Sequence, residues 1–177
     1  MIARDSASAE ARVTVSVSLL DQAMRILSRR DHSEAELRSK LKAVMARDRL
    51  KSSLPPQEPE RRARVELDEV IDYCRRRDWL NDSRFTASYV TSRSNKGYGE
   101  QKIRAELKQK GVKREIIDAA FAEAAIDRPA QAMSVAQKKF GQPLPAGRLE
   151  KIKVQRYLLA RGFSFEEIQA IYTNSIR

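Results

Sequence analysis

Six residues between positions 93 and 108 concentrate the side chains best suited to chemistry: Arg93, Lys96, Tyr98, Lys102, Arg104 and Lys108. That chemistry is binding. Guanidinium and ammonium groups pair with phosphate or carboxylate, and a nearby aromatic ring offers a face for stacking. Gly97 and Gly99 lie among them, and glycine lets the backbone approach a phosphate or a partner loop closely. Arg104 and Lys108 are four apart and share a helical face, with Lys102 beside them. Reversing both charges, Arg104→Glu with Lys108→Glu, is expected to weaken binding and to leave thermal stability nearly unchanged, as exposed changes usually do. A plainer reading of the same stretch stays open: a glycine-rich turn with solvated charges and Tyr98 packed locally.

Catalysis finds little support. The sequence has no nucleophile–base pair, P-loop or dinucleotide fingerprint, so no cofactor is expected. One histidine, His32, and one cysteine, Cys74, cannot supply a zinc site. Cys74 shares a helix face with Val70 and reads as a small core residue, and His32 as a turn residue. Carboxylates are spread along the chain as i,i+4 partners of Lys and Arg, not clustered for a metal.

Other cations could extend a positive surface. Arg25 and Arg29 fall on one face of a first helix, and Lys151, Lys153, Arg156 and Arg161 decorate the C-terminal region. Arg75, Arg76 and Arg77 point in three directions and make no patch. Trp79 reads as a packing anchor between units. The 177 residues carry 35 Lys plus Arg against 24 Asp plus Glu, a net charge of +11. Such a balance suits an anionic partner, nucleic acid or a nucleic-acid–protein complex, although a helical protein with solvated cations has the same composition. A charged N-terminus and the lack of any run of about 20 apolar residues point to the cytoplasm and away from membranes.

A repeat positions these side chains. Ile103, Leu107, Gly111, Ile117 and Phe121 return 51 positions later as Val154, Leu158, Gly162, Ile168 and Tyr172. Apolar residues four apart line one helical face, and the glycine sits where a helix stops. Leu37 and Leu41 form a third, degenerate copy. Helices are expected near 19–30, 100–110, 114–124 and 148–161, with capping boxes at Ser33/Glu36 and Ser164/Glu167 and an N-cap at Asn81. The expected fold is all-α: three tandem three-helix repeats stacked into an elongated, curved array. Residues 1–17 form a tail with a strand-like Val13–Val17. Residues 18–80 form repeat 1, with a proline-rich loop inserted at 46–63. Repeat 2 spans 81–126 and repeat 3 spans 127–177. Each repeat holds few large apolar residues, so the repeats should stabilise one another.

Three segments carry a resemblance: Arg30–Leu37, Trp79–Phe85 and, most specifically, Ser92–Gly111. In order on this frame, they resemble the RecX family, bacterial regulatory proteins that act on the RecA recombinase. The likeness covers residues 19–175. It implies a non-enzymatic monomer that binds the RecA–DNA filament in its groove or at its growing end. Filament extension, strand exchange, ATP hydrolysis and the co-protease activity toward LexA would then be inhibited, which would modulate DNA repair and the SOS response. Free single- and double-stranded DNA would be weaker, salt-sensitive ligands. The alternatives are a sequence-nonspecific DNA- or RNA-binding architectural protein and, with less support, a nuclease.

Overall fold

The computed structural model describes residues 16–51 and 59–173, with the side chains of residues 49–51, 59 and 60 left aside. Among the described residues there are nine helices and no strand. They are α1 (Val17–Leu27), α2 (Glu34–Lys51), α3 (Pro59–Arg76), α4 (Asp82–Asn95), α5 (Glu100–Gln109), α6 (Arg114–Ala124), α7 (Arg128–Phe140), α8 (Arg148–Ala160) and α9 (Phe165–Thr173). In each successive trio, the first and third helices pack together: α1 on α3, α4 on α6, α7 on α9.

Each trio closes its own core. Leu19, Leu37, Leu41, Val70, Ile71 and Cys74 fill the first. Phe85, Val90, Ile103, Leu107, Ile117 and Phe121 fill the second. Ala136, Val154, Leu158, Phe163, Ile168 and Ile171 fill the third. The repeated positions are therefore core positions, as a four-residue apolar spacing requires. Cys74 is fully buried, and burial raises its thiol pKa. His32 is buried in the turn before α2.

Local chemistry sets the helix ends. The Ser33 hydroxyl accepts from the Glu36 N–H at 3.1 Å, and the Ser33 N–H donates back to the Glu36 carboxylate at 3.3 Å. Ser164 and Glu167 repeat this box. Asn81 accepts from the Arg84 N–H, and Asp127 from the Ala130 N–H. Proline occupies the first turn of α7, where no intrahelical N–H is lost.

Several expectations need correction. Helix α2 runs on to Lys51, and α3 starts at Pro59, so much of the 46–63 stretch is helical. Ala46, Arg47 and Lys51 are good helix formers, and Pro59 opens its helix, where proline is tolerated. Of the strand-like segment, Val13–Val15 lie outside the described residues, and Val17 opens α1. Helix α1 ends at Leu27, which leaves Arg29 in the turn that follows it. Trp79, read above as a packing anchor, meets Tyr73 edge-on at 5.8 Å, and the adjoining Leu80 is buried.

The chain divides into two compact units. One takes the chain up to Arg30 and Leu37–Leu80; the other takes Asp31–Glu36 and everything from Asn81. The second unit holds the second and third trios, and a backbone joint connects them. Gly99, the N-cap of α5, has no side chain to accept from that helix's free amides. The C-terminal end of α8 does so instead. The Gly99 N–H donates to the Arg161 carbonyl at 2.8 Å, and the Gln101 N–H to the Gly162 carbonyl at 3.1 Å. Gly162 sits at φ +89° against Lys102, and Gly111 at φ +73° against Ala35. Both glycines end a middle helix in the left-handed region, and both meet a neighbour that a side chain would strike. At the other end of α5, the Ser33 hydroxyl donates to the Lys110 carbonyl at 2.6 Å, and the Lys110 ammonium pairs with Glu36 at 2.6 Å.

Candidate functional site

The basic cluster lies in the second unit, where α4 turns into α5. Arg93, on the last turn of α4, reaches across to Glu106 on α5. Its Nε donates to Glu106 Oε2 at 2.7 Å, and its Nη2 donates to Oε1. This two-pronged contact is the geometry that arginine favours for carboxylates. The Tyr89 hydroxyl donates to the same Glu106 at 2.8 Å. Partial burial works against charge on Glu106, but hydrogen bonds from Arg93 and Tyr89 outweigh it and hold the carboxyl below its ordinary pKa. Burial, then the adjoining Glu106, pushes the Tyr89 phenol up to about 12.

Tyr98 sits above this pair. The Arg93 guanidinium stands 4.0 Å from its ring centroid, the Lys102 ammonium 4.9 Å and the Arg161 guanidinium 5.4 Å. Three cations around one ring make a cation–π box. Arg161, from the end of α8, also faces the Tyr157 ring at 4.8 Å and donates to the carbonyls of Lys96 at 3.2 Å and Gly97 at 3.3 Å. It fastens the 95–99 turn to the third trio. Beside that turn lies a cleft of about 380 Å³, edged by Lys96, Lys138, Arg161, Gln131 and Tyr157.

The six cluster residues do not share one surface. Arg93, Tyr98 and Lys102 come together, with Arg161 added. Arg104 faces α6 instead: Nε donates to Glu100 at 2.5 Å, Nη1 to Asp118, and the guanidinium covers the Phe121 ring at 4.7 Å. Partial burial opposes its charge, but Glu100 and Asp118 prevail and raise its pKa. Glu100 also takes Arg128 at 2.6 Å. Arg104 is therefore not a solvated contact residue, and reversing its charge would disturb the fold. Because Arg104 is paired, a joint Arg104 and Lys108 reversal should cost stability, against the neutrality expected from the sequence. Lys96 and Lys108 are exposed and have no ion pair among the described residues.

The outlying candidates separate as well. Arg25 is exposed in the last turn of α1, where a cation suits the helix dipole. Lys151 turns back to the Tyr172 ring at 5.0 Å. Lys153 and Arg156 are exposed on α8, with no ion pair among the described residues. Sequence reasoning missed Glu106 as the counter-ion of Arg93, because thirteen positions and a turn separate them. It also missed Lys138, on a helix that reaches the cleft only through the fold.

Among the described residues, no helix is long and apolar enough to cross a membrane, and no three His, Cys, Asp or Glu side chains converge on a metal position. RecX family models match three stretches: the first three-helix domain at residues 20–43, the second at 81–124 and the third at 127–171. The regulatory protein RecX of Serratia proteamaculans (strain 568) is 55% identical over 162 residues, which cover 87% of this chain and 95% of that one. The chain belongs to the RecX family of regulatory proteins. The RecX of Cronobacter sakazakii (strain ATCC BAA-894) is 49% identical over 156 residues, covering 88% of this chain and 91% of the relative. The crystal structure of RecX from Lactobacillus salivarius shares the fold, with a TM-score of 0.69 at 22% identity, over 89% of this chain and 94% of that one. The RecX family comprises regulators, not enzymes. Its first-domain model stops at residue 43, short of the stretch holding Pro55, Pro56 and Pro59.

Proposed function

We propose that this chain restrains RecA: it binds the RecA–DNA filament, in the groove or at the growing end, and slows filament extension. Strand exchange, ATP hydrolysis and LexA co-protease activity fall as a consequence, in the cytoplasm where RecA works. Membership of the RecX family carries this reading. The exposed cations support it, since Lys96, Lys108, Lys153 and Arg156 have no ion pair among the described residues and can meet phosphate or carboxylate at little cost. In this proposal Arg25 and Lys102 are secondary contacts. Arg93, Tyr98 and Arg104 build and hold the surface. Lys151 and the turn residue Arg29 contribute least.

The test is single-stranded-DNA-dependent ATP hydrolysis by RecA, with this chain added below stoichiometry after filaments form. A progressive fall in rate that excess DNA does not reverse is the expected result. No effect until the chain saturates the DNA would favour the architectural reading, which the net charge of +11 supports. Salt separates the two further, because phosphate binding weakens log-linearly as salt rises. For the surface itself, Lys96→Glu with Lys108→Glu should reduce inhibition about tenfold or more and shift the melting temperature little, as exposed unpaired positions usually allow. Full inhibition by that variant would move the contact elsewhere.

A further inference from the structure

Helix α8 has two apolar faces. Val154 and Leu158 are fully buried in the third core. On the other side, Leu149 is 70% exposed, Ile152 37% and Leu159 47%. With Arg156 between them, these residues step by three, four and three positions, so they form one stripe about 15 Å long on a single face. Isolated exposed leucines are ordinary, but an aligned row is a patch that water covers at a cost. Exposed Arg148 and Lys153 flank the row, and exposed Arg156 stands within it. The helix's one carboxylate, Glu150, lies well round the helix from it.

A phosphate backbone has no use for such a row. Cations alone serve it, and aliphatic side chains leave water only against other apolar groups. Helix-in-groove recognition does use it, through anchors at i, i+3 and i+7 or i+10. The bordering charge, all of one sign, specifies the rim of the complementary surface. We propose that the outer face of α8 is a protein-docking surface that takes apolar side chains bordered by carboxylates. Resting on the proposed function, that partner segment belongs to a RecA subunit of the filament. Lys153 and Arg156 thereby pair with acidic side chains, not with DNA phosphates.

The experiment measures binding of the full chain to preformed RecA–single-stranded-DNA filaments, and to the same DNA without RecA. The variant Ile152→Gln with Leu159→Gln keeps the charge and the helix propensity. It should weaken filament binding about tenfold or more, while binding to naked DNA stays within about twofold. Ile152→Glu with Leu159→Glu should weaken filament binding further, because it sets carboxylate against carboxylate. Filament binding by the Gln variant equal to wild type overturns the docking face and leaves the proposed function standing. Equal losses on filament and naked DNA overturn it too, as does a Glu variant that binds filaments better than the Gln variant. Loss of wild-type self-association in the Gln variant, with filament binding retained, would assign the stripe to a second copy of this chain. A wild-type chain that ignores filaments removes the proposed function, and this partner with it. Leu149→Gln, at the most exposed position, gives the same readout should the double variants fold poorly.

Discussion

Gly99→Ala should lower the stability of the second unit by about 2–4 kcal/mol, and Gly147→Ala by well under half of that. The two glycines make a matched pair. Each is the N-cap of a middle helix, Gly99 at φ −80° for α5 and Gly147 at φ −63° for α8. Neither needs a left-handed backbone, so both exchanges carry the same modest penalty for alanine at an N-cap. What differs is the surroundings. A methyl group on Gly99 would overlap the backbone carbonyl of Gly162 and the Phe163 amide, which cannot move apart from their helix. A methyl group on Gly147 meets only the free end of the Glu150 side chain, which swings away. The first exchange must therefore part α5 from α8 and stretch the bonds from Gly99 and Gln101 to Arg161 and Gly162. Thermal melting of both variants, with hydrogen exchange at the Gly99 and Gln101 amides, reads the difference. Equal shifts in melting temperature would show that this joint does not couple the second and third trios.

Much of this frame is legible in the chain, because the signals that form it are local. The four-residue apolar spacing places Ile103, Leu107, Val154 and Leu158 in cores. Ser33, Asn81 and Ser164 mark helix starts through bonds that span three residues. Gly111 and Gly162 mark helix ends because the left-handed turn there suits glycine. The binding cluster is less legible, because a cation looks the same in sequence whether it faces water or a carboxylate. Arg104 and Lys108 share a helix face in a wheel drawing. In the fold, Arg104 bends toward Asp118 on α6, and Lys108 has no ion pair among the described residues. The exposed row on α8 was hidden for a related reason. The repeat drew attention to Val154 and Leu158, and a helix apolar on two sides has no single stripe to mark its outer face. The proline-rich stretch shows the reverse error. Three prolines overrode the good helix formers Ala46, Arg47, Arg49, Leu50 and Lys51, although proline breaks a helix only from inside it.

Glu106→Gln is the sharper probe of how the candidate surface is held. At neutral pH it should cost about 1–3 kcal/mol, because Arg93 and Tyr89 lose a charged acceptor that they share in a half-buried setting. The cost should depend on pH, with a definite sign. Glu106 is held below its ordinary pKa in the folded chain, so its carboxylate stabilises the fold fully above the unfolded value of about 4.3. That stabilisation is lost as pH falls through the lower folded value, where protonated Glu106 resembles glutamine. Wild type and variant should therefore differ most near pH 7 and converge as pH falls from about 5 toward 3. A gap that stays constant over that range would mean that packing, not the charge of Glu106, anchors Arg93. The consequence reaches beyond stability. Arg93 packs on Tyr98, and Arg161 holds the carbonyls of Lys96 and Gly97. Freeing Arg93 loosens the turn that presents Lys96, although no contact residue has changed. The Gln variant should then lose part of its inhibition of RecA at temperatures well below its own melting point, and Arg93→Lys should do the same, since an ammonium cannot fork to both carboxylate oxygens.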